Sequence, residues 1–128
     1  MSKKVLIVDD EQDMVFGLRM MFEANNFEVM VAFDGQEALN IARQSKPDIM
    51  ILDLMLPKVD GYRVCRMLKF DEKYRKIPIV ILTARTSAEE MKIGMAVGAD
   101  AYIVKPFDQQ VLMDKVKALL KPSGSPSS

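Results

Sequence analysis

The sequence contains no histidine, and its one cysteine is Cys65. Without histidine there are no histidine-ligated metals, no histidine general base and no catalytic triad. A lone cysteine rules out an intramolecular disulfide and fits a reducing compartment. Charge of one sign is missing too: 18 Lys and Arg balance 18 Asp and Glu. No overall basic field exists to hold phosphate backbones, so this chain alone is not expected to bind nucleic acid. Long apolar runs are absent as well. Met1-Ser-Lys-Lys4 is followed by only Val5-Leu-Ile-Val8 before Asp9, too short for a signal peptide, and no run approaches membrane-spanning length. The expectation is a cytoplasmic protein with no membrane association.

What is present reads as one globular domain. The 128 residues are 49% apolar and 28% charged, enough to bury a core without staples. Eleven methionines are many for this length, and their expected role is to fill irregular gaps in the core.

Five short apolar runs recur: Val5–Val8, Val29–Ala32, Ile49–Leu52, Ile79–Leu82 and Ala101–Val104. They are continuous rather than alternating, which suits strands covered on both faces. Between them apolar residues fall at helical spacing, as in Met14, Leu18, Met21 and Phe22, or Leu112, Val116, Leu119 and Leu120. Helix boundaries are marked by Asn25-Asn26, an Asp34 cap, Lys46-Pro47, Gly98 and an Asp108 cap. Ser87-Ala-Glu-Glu90 has the spacing of a capping box. Strand and helix alternate five times, which predicts an α/β fold with a parallel sheet and right-handed crossovers. Lys121-Pro-Ser-Gly-Ser-Pro-Ser-Ser128 reads as a flexible tail.

In a doubly wound sheet, ligands bind beyond the C-terminal ends of the strands. That rule selects Asp9 and Asp10, Asp53, Thr83 and Lys105-Pro106. Three carboxylates together repel unless a cation neutralises them. An oxygen-only donor set points to Mg²⁺ or Mn²⁺ rather than zinc. The lysine supplies positive charge, the threonine a hydroxyl donor, and a carboxylate can act as nucleophile toward a phosphoryl group. Taken singly, these residues are turn formers, caps, a β-former and a surface lysine. Their joint placement at the ends of four strands gives the functional reading. Asp9→Ala is expected to raise stability without metal by relieving repulsion.

Five stretches, in order, resemble the response-regulator receiver domain over residues 3 to 120. They are Val5-Leu-Ile-Val-Asp-Asp-Glu11, residues 47–61 around Leu52-Asp-Leu54, Ile77-Pro-Ile-Val-Ile-Leu-Thr-Ala84, Gly98-Ala-Asp-Ala-Tyr102 and Lys105-Pro-Phe107. The resemblance implies a flavodoxin-like (βα)5 fold with a five-stranded parallel sheet of order 2-1-3-4-5. It places the domain at 1–121 and leaves 122–128 as a tail or linker remnant. It implies that Asp53 is the phosphoacceptor, Asp10 a direct metal ligand, Asp9 one acting through water, and Met55 a ligand through its backbone carbonyl. Thr83 and Lys105 would contact the phosphoryl group, Pro106 would follow a cis bond, and Tyr102 would be an aromatic that swings inward on phosphorylation. The implied protein is a two-component signalling switch, not an enzyme beyond its own phosphotransfer and dephosphorylation. Its implied partners are a sensor histidine kinase or histidine phosphotransfer domain, docking near Met14, Val15 and Leu18, and a downstream protein or fused output domain. The output surface would run over 87–97, Tyr102 and the outer side of 108–120, with some of Met91, Ile93, Met95 and Val97 exposed.

Three other readings meet specific obstacles. A nucleotide or flavin binder needs a glycine-rich loop after the first strand, where this chain has Asp9-Asp10-Glu11. An aspartyl phosphatase would carry nucleophile and acid on the first strand. A receiver-like module that no longer takes phosphate would be expected to lack one of Asp10, Asp53, Thr83 or Lys105.

Overall fold

A computed structural model describes residues 2–120 of the chain. The tail expected at 122–128 lies outside the described residues, as does residue 121. Strands β1 (Lys4–Val8), β2 (Glu28–Ala32), β3 (Ile49–Leu52), β4 (Ile79–Thr83) and β5 (Ala101–Val104) alternate with helices. These are α1 (Gln12–Ala24), α2 (Gly35–Ser45), α3 (Gly61–Lys69), α4 (Ala88–Ala96) and α5 (Gln109–Leu120). All pairings are parallel, in the order β2-β1-β3-β4-β5.

Burial along each strand follows its place in that order. β3 and β4 are buried throughout, and β1 is buried from Val5 onward. The edge strands β2 and β5 are half-buried over most of their length. All five apolar runs are strands, but only the central three, which helices cover on both faces, are buried along nearly their whole length.

Because side chains alternate along a strand, the sheet divides the core in two. Leu6, Val8, Met50, Leu52, Ile79 and Ile81 pack with Ala38 and Leu39 of α2 and with Val64, Cys65 and Leu68 of α3. Val5, Ile7, Ile49, Ile51, Val80 and Leu82 pack on the other side with Leu18 and Phe22 of α1 and Leu112 and Val116 of α5.

Helix starts are fixed by local hydrogen bonds. The Glu37 and Arg63 backbone amides donate to Asp34 Oδ1 and Asp60 Oδ1 at 2.8 and 3.1 Å. Asp108 Oδ1 accepts from the amides of Gln110 and Val111. At Ser87 only half of the expected box forms. Its hydroxyl accepts from the Glu90 amide at 3.1 Å, while the Glu90 carboxylate turns to Arg85 and Tyr62. A charged guanidinium is the stronger partner for a carboxylate than a neutral amide.

Two further expectations are corrected. Of the methionines, Met50 and Met113 are buried in the core, whereas Met20, Met55, Met67, Met91 and Met95 are exposed. Met14, Met21 and Met30 are half-buried and pack against the core, so the described methionines divide evenly between core and surface. The Met14–Val15–Leu18 face of α1 is not free for docking either. Val15 and Leu18 belong to the core, because the stripe at that spacing is the one that faces the sheet, and the large apolar residues α1 exposes are Phe16 and Met20.

Candidate functional site

Four strand ends converge on one acidic pocket. Asp9 follows β1 and is held by its amide, which donates to the Ala32 carbonyl at 3.2 Å. Asp53 follows β3, and its amide donates to the Val8 carbonyl at 2.9 Å. These main-chain bonds extend the ladder one residue past each strand and fix where the carboxylates point. Asp9 and Asp53 are buried, and Asp10 is exposed. Even so, each of the three offers a carboxylate oxygen within 4.8 Å of the others. Thr83, the last residue of β4, is fully buried.

Lys105 closes the pocket from beyond β5. Its amide donates to the Thr83 carbonyl at 2.8 Å, and the bond to Pro106 is cis. The ammonium donates to Asp9 Oδ2 at 2.7 Å, to Asp53 Oδ2 at 3.2 Å and to Glu11 Oε1 at 3.4 Å. Burial disfavours the charged lysine, but the bond to Asp9 and the charges of Asp53 and Asp9 outweigh it, and the ammonium pKa is raised. Asp9 moves up as well, chiefly through burial, with Lys105 and the Glu11 amide pulling against it.

This arrangement changes one expectation. The repulsion between Asp9 and Asp53 is already met by Lys105, which both share. Removing Asp9 takes away a lysine partner at 2.7 Å as well as a repulsive neighbour, so the relief of repulsion is opposed by the loss of that pair.

The loop after Asp53 is pinned where it must turn. The Met55 amide donates to Asp53 Oδ1 at 3.2 Å, and the Met55 side chain is exposed. Gly61 opens α3 against the strand end: a Cβ there would lie 2.4 Å from the Asp53 carbonyl oxygen and 2.6 Å from Leu54 Cα. Gly35 faces the same loop, where a Cβ would meet the Val59 carbonyl. Lys58, at φ 67°, pairs with Asp34 at 3.5 Å. The backbone of residues 54–60 is therefore held by α2 and α3 together.

Tyr102 on β5 is half-buried against the core, and its hydroxyl donates to the Arg85 carbonyl at 3.0 Å. The ring already points inward here, where the sequence led us to expect an outward ring that moves in. Arg85 follows Thr83 by two residues, and its amide reaches Thr83 Oγ1 at 3.5 Å. The structure adds residues that sequence reasoning did not assign: Glu11 beside Lys105, Gly35 and Lys58 beneath the loop, and Glu90 and Tyr62 around Arg85. Glu11 adjoins the aspartate pair, which is a usable signal. Tyr62 and Glu90 are 28 positions apart, and no local pattern joins them.

Comparison with known proteins bears on this geometry. The family model described as the response regulator receiver domain matches residues 5–117. The chain belongs to the response-regulator receiver family. Receiver domains of this kind are phosphorylation-activated switches of two-component systems, which partner with histidine kinases and output domains and generally use Mg²⁺. The chain is similar to the alkaline phosphatase synthesis transcriptional regulatory protein PhoP of Bacillus subtilis. They are 42% identical over 130 residues, covering 100% of this chain and 53% of the relative. It is also similar to the DNA-binding response regulator MtrA of Mycolicibacterium paratuberculosis, at 39% identity over 121 residues, 94% of this chain and 52% of the relative. The chain thus spans about half the length of these curated relatives. Among solved structures, the chemotaxis response regulator CheY4 of Vibrio cholerae superposes with a TM-score of 0.87 at 32% identity, covering 94% of this chain and 100% of that one. In this chain the acidic cluster lies beyond the C-terminal ends of the central strands β1 and β3. Among the described residues, no helix is long and apolar enough to cross a membrane.

Proposed function

We propose that Asp53 accepts a phosphoryl group from the phosphohistidine of a sensor histidine kinase or a histidine phosphotransfer domain. An Asp53 carboxylate oxygen forms the new bond to phosphorus, the phosphorus–nitrogen bond of the donor breaks, and the histidine leaves with its electron pair. The observation that carries this reading is the meeting of Asp9, Asp10 and Asp53 within 4.8 Å with Lys105 Nζ 3.2 Å from Asp53.

The donor set fits a hard divalent cation, Mg²⁺ or Mn²⁺, since it is all oxygen and has no thiolate or imidazole beside it. Asp10, Asp53 and the Met55 carbonyl would hold the ion directly, with Asp9 acting through water. When bound, it supplies positive charge to the carboxylates and to the incoming phosphoryl oxygens. Lys105 supplies the second positive charge, and Thr83 a hydroxyl donor to a phosphoryl oxygen. Electrostatic stabilisation and positioning are the whole of the protein's contribution, so the domain catalyses only its own phosphorylation and dephosphorylation.

The new negative group on Asp53 draws Thr83 toward it and favours the state in which Tyr102 is turned in. The readout surface is the face of α4, β5 and α5, where Met91, Ile93, Met95 and Val111 are exposed. A downstream protein or a fused output domain takes that face, and a cytoplasmic setting follows from such partners.

Intact mass after incubation with acetyl phosphate tests the chemistry. One labile phosphoryl group is expected with Mg²⁺, and none with EDTA or in Asp53→Ala. Equal incorporation into Asp53→Ala would overturn the assignment. No adduct on wild type from either acetyl phosphate or a phosphorylated kinase would favour a module that keeps the fold without the chemistry.

A further inference from the structure

The Arg85 side chain does not enter the acidic pocket. Its Nη1 donates to Glu90 Oε2 at 3.1 Å, and its guanidinium carbon lies 5.8 Å from the centroid of the Tyr62 ring. The Tyr62 hydroxyl, on the first turn of α3, donates to the same Glu90 carboxylate oxygen. It also approaches the Glu90 carbonyl at 3.4 Å. The main chain of Arg85 meanwhile receives the Tyr102 hydroxyl at 3.0 Å. One residue of the β4–α4 loop is thus held by α3 and α4 through its side chain, and itself holds β5 through its carbonyl.

We propose that Tyr62, Arg85 and Glu90 form a latch that keeps Tyr102 turned in and couples α3 to the output face. This deepens the switch proposed above by naming residues that position its aromatic, and it rests on that reading.

The physical basis is the difference between a pinned and a free carbonyl. The loop after β4 must deliver the Arg85 carbonyl to one point in space for the Tyr102 hydroxyl to reach it. An isolated exposed ion pair between Arg85 and Glu90 does this poorly, because two long side chains keep their freedom. A tyrosine hydroxyl sharing the same carboxylate oxygen, with its ring beneath the guanidinium, removes that freedom. Such a cluster carries charge-assisted hydrogen bonds and a cation–π contact on the same three groups. Tyr62 belongs to the helix that begins against Asp53 at Gly61. Movement of the Asp53 loop is thereby transmitted to Arg85 along a short rigid path. Tyr62, Arg85 and Glu90 are positioning residues: they act on the switch through Tyr102.

The test is a double-mutant cycle on the full chain with Tyr62→Phe and Tyr102→Phe, each of which removes only a hydroxyl. Urea unfolding gives the equilibrium constants, and NMR of the Tyr102 ring and the Arg85 amide gives the position of the switch. Non-additivity of about threefold in the unfolding equilibrium is expected for coupled groups, together with displaced Tyr102 signals in Tyr62→Phe and again in Glu90→Ala. Additive effects, or Tyr102 signals that stay where they are in both variants, would overturn the latch. The cycle needs no phosphorylation. Failure of wild type to take a phosphoryl group would therefore count against the proposed function, while additivity in a phosphorylatable wild type would count against the latch alone.

Discussion

The Lys105 ammonium stands 3.2 Å from the Asp53 carboxylate although β3 and β5 are not neighbours. With strands about 4.8 Å apart, the lysine reaches across the end of β4 and over Thr83. Its side chain is almost completely buried, as are those of Asp9 and Asp53. Lysine and divalent cation are therefore alternative means of offsetting the same buried negative charge.

Lys105→Met should leave Asp9 and Asp53 facing each other without compensation. Breaking a buried pair in this way costs about 3 kcal/mol, and added Mg²⁺ should recover more stability in the variant than in wild type. Thermal unfolding of both proteins in EDTA and in Mg²⁺ measures this directly. An equal response of the two to Mg²⁺ would contradict the shared-charge account.

Gly94 makes room for Tyr102. A Cβ at Gly94 would lie 3.0 Å from two carbons of the Tyr102 ring and 3.1 Å from Ile81 Cδ1. Gly94→Ala should push the ring off its place, weaken its bond to the Arg85 carbonyl and cost about 1–3 kcal/mol through overpacking. Phosphorylation at Asp53 should persist while the signal at the output face falls. A variant with wild-type stability and unmoved Tyr102 signals would show that the contact relaxes without consequence.

The Tyr62 hydroxyl should ionise well above the usual tyrosine range. Burial first, and the bond to the Glu90 carboxylate second, push its pKa up to about 12. In the unfolded chain it returns to about 10. The unfolded state thus loses its proton first, so stability present below pH 10 declines as pH rises through about 12. Tyrosinate absorbance against pH should show this late step in wild type and not in Tyr62→Phe; identical curves would refute the burial argument.

Cys65 should report unfolding. It is buried under α3, with its thiol on the Val97 carbonyl at 3.7 Å, and burial raises its pKa to about 12. Thiolate is the reactive form. Alkylation at neutral pH should therefore be slow in the folded protein and become fast in denaturant. Rapid labelling under native conditions would mean that the α3 face opens locally.

The amino-acid sequence by itself determined the order and kind of the elements. The continuous apolar runs suited the strands of a helix-covered parallel sheet, and Asp34, Lys46, Gly98 and Asp108 set helix ends through bonds or backbone angles that involve near neighbours. It also placed Asp9, Asp10, Asp53, Thr83 and Lys105 on one edge, because strand ends in a parallel sheet all face the same way. Tertiary structure decided what those groups do to one another. That Lys105 already bridges Asp9 and Asp53 depends on distances across β4, and that Glu90 leaves the Ser87 box for Arg85 and Tyr62 depends on the fold bringing Tyr62 of α3 within reach of α4. Which methionines are buried was decided in the same way, since a methionine at helical spacing is core or surface according to the neighbour its face meets. Local rules fix angles and caps over a few residues, whereas charge pairing and burial are settled between segments that meet only after the chain has folded.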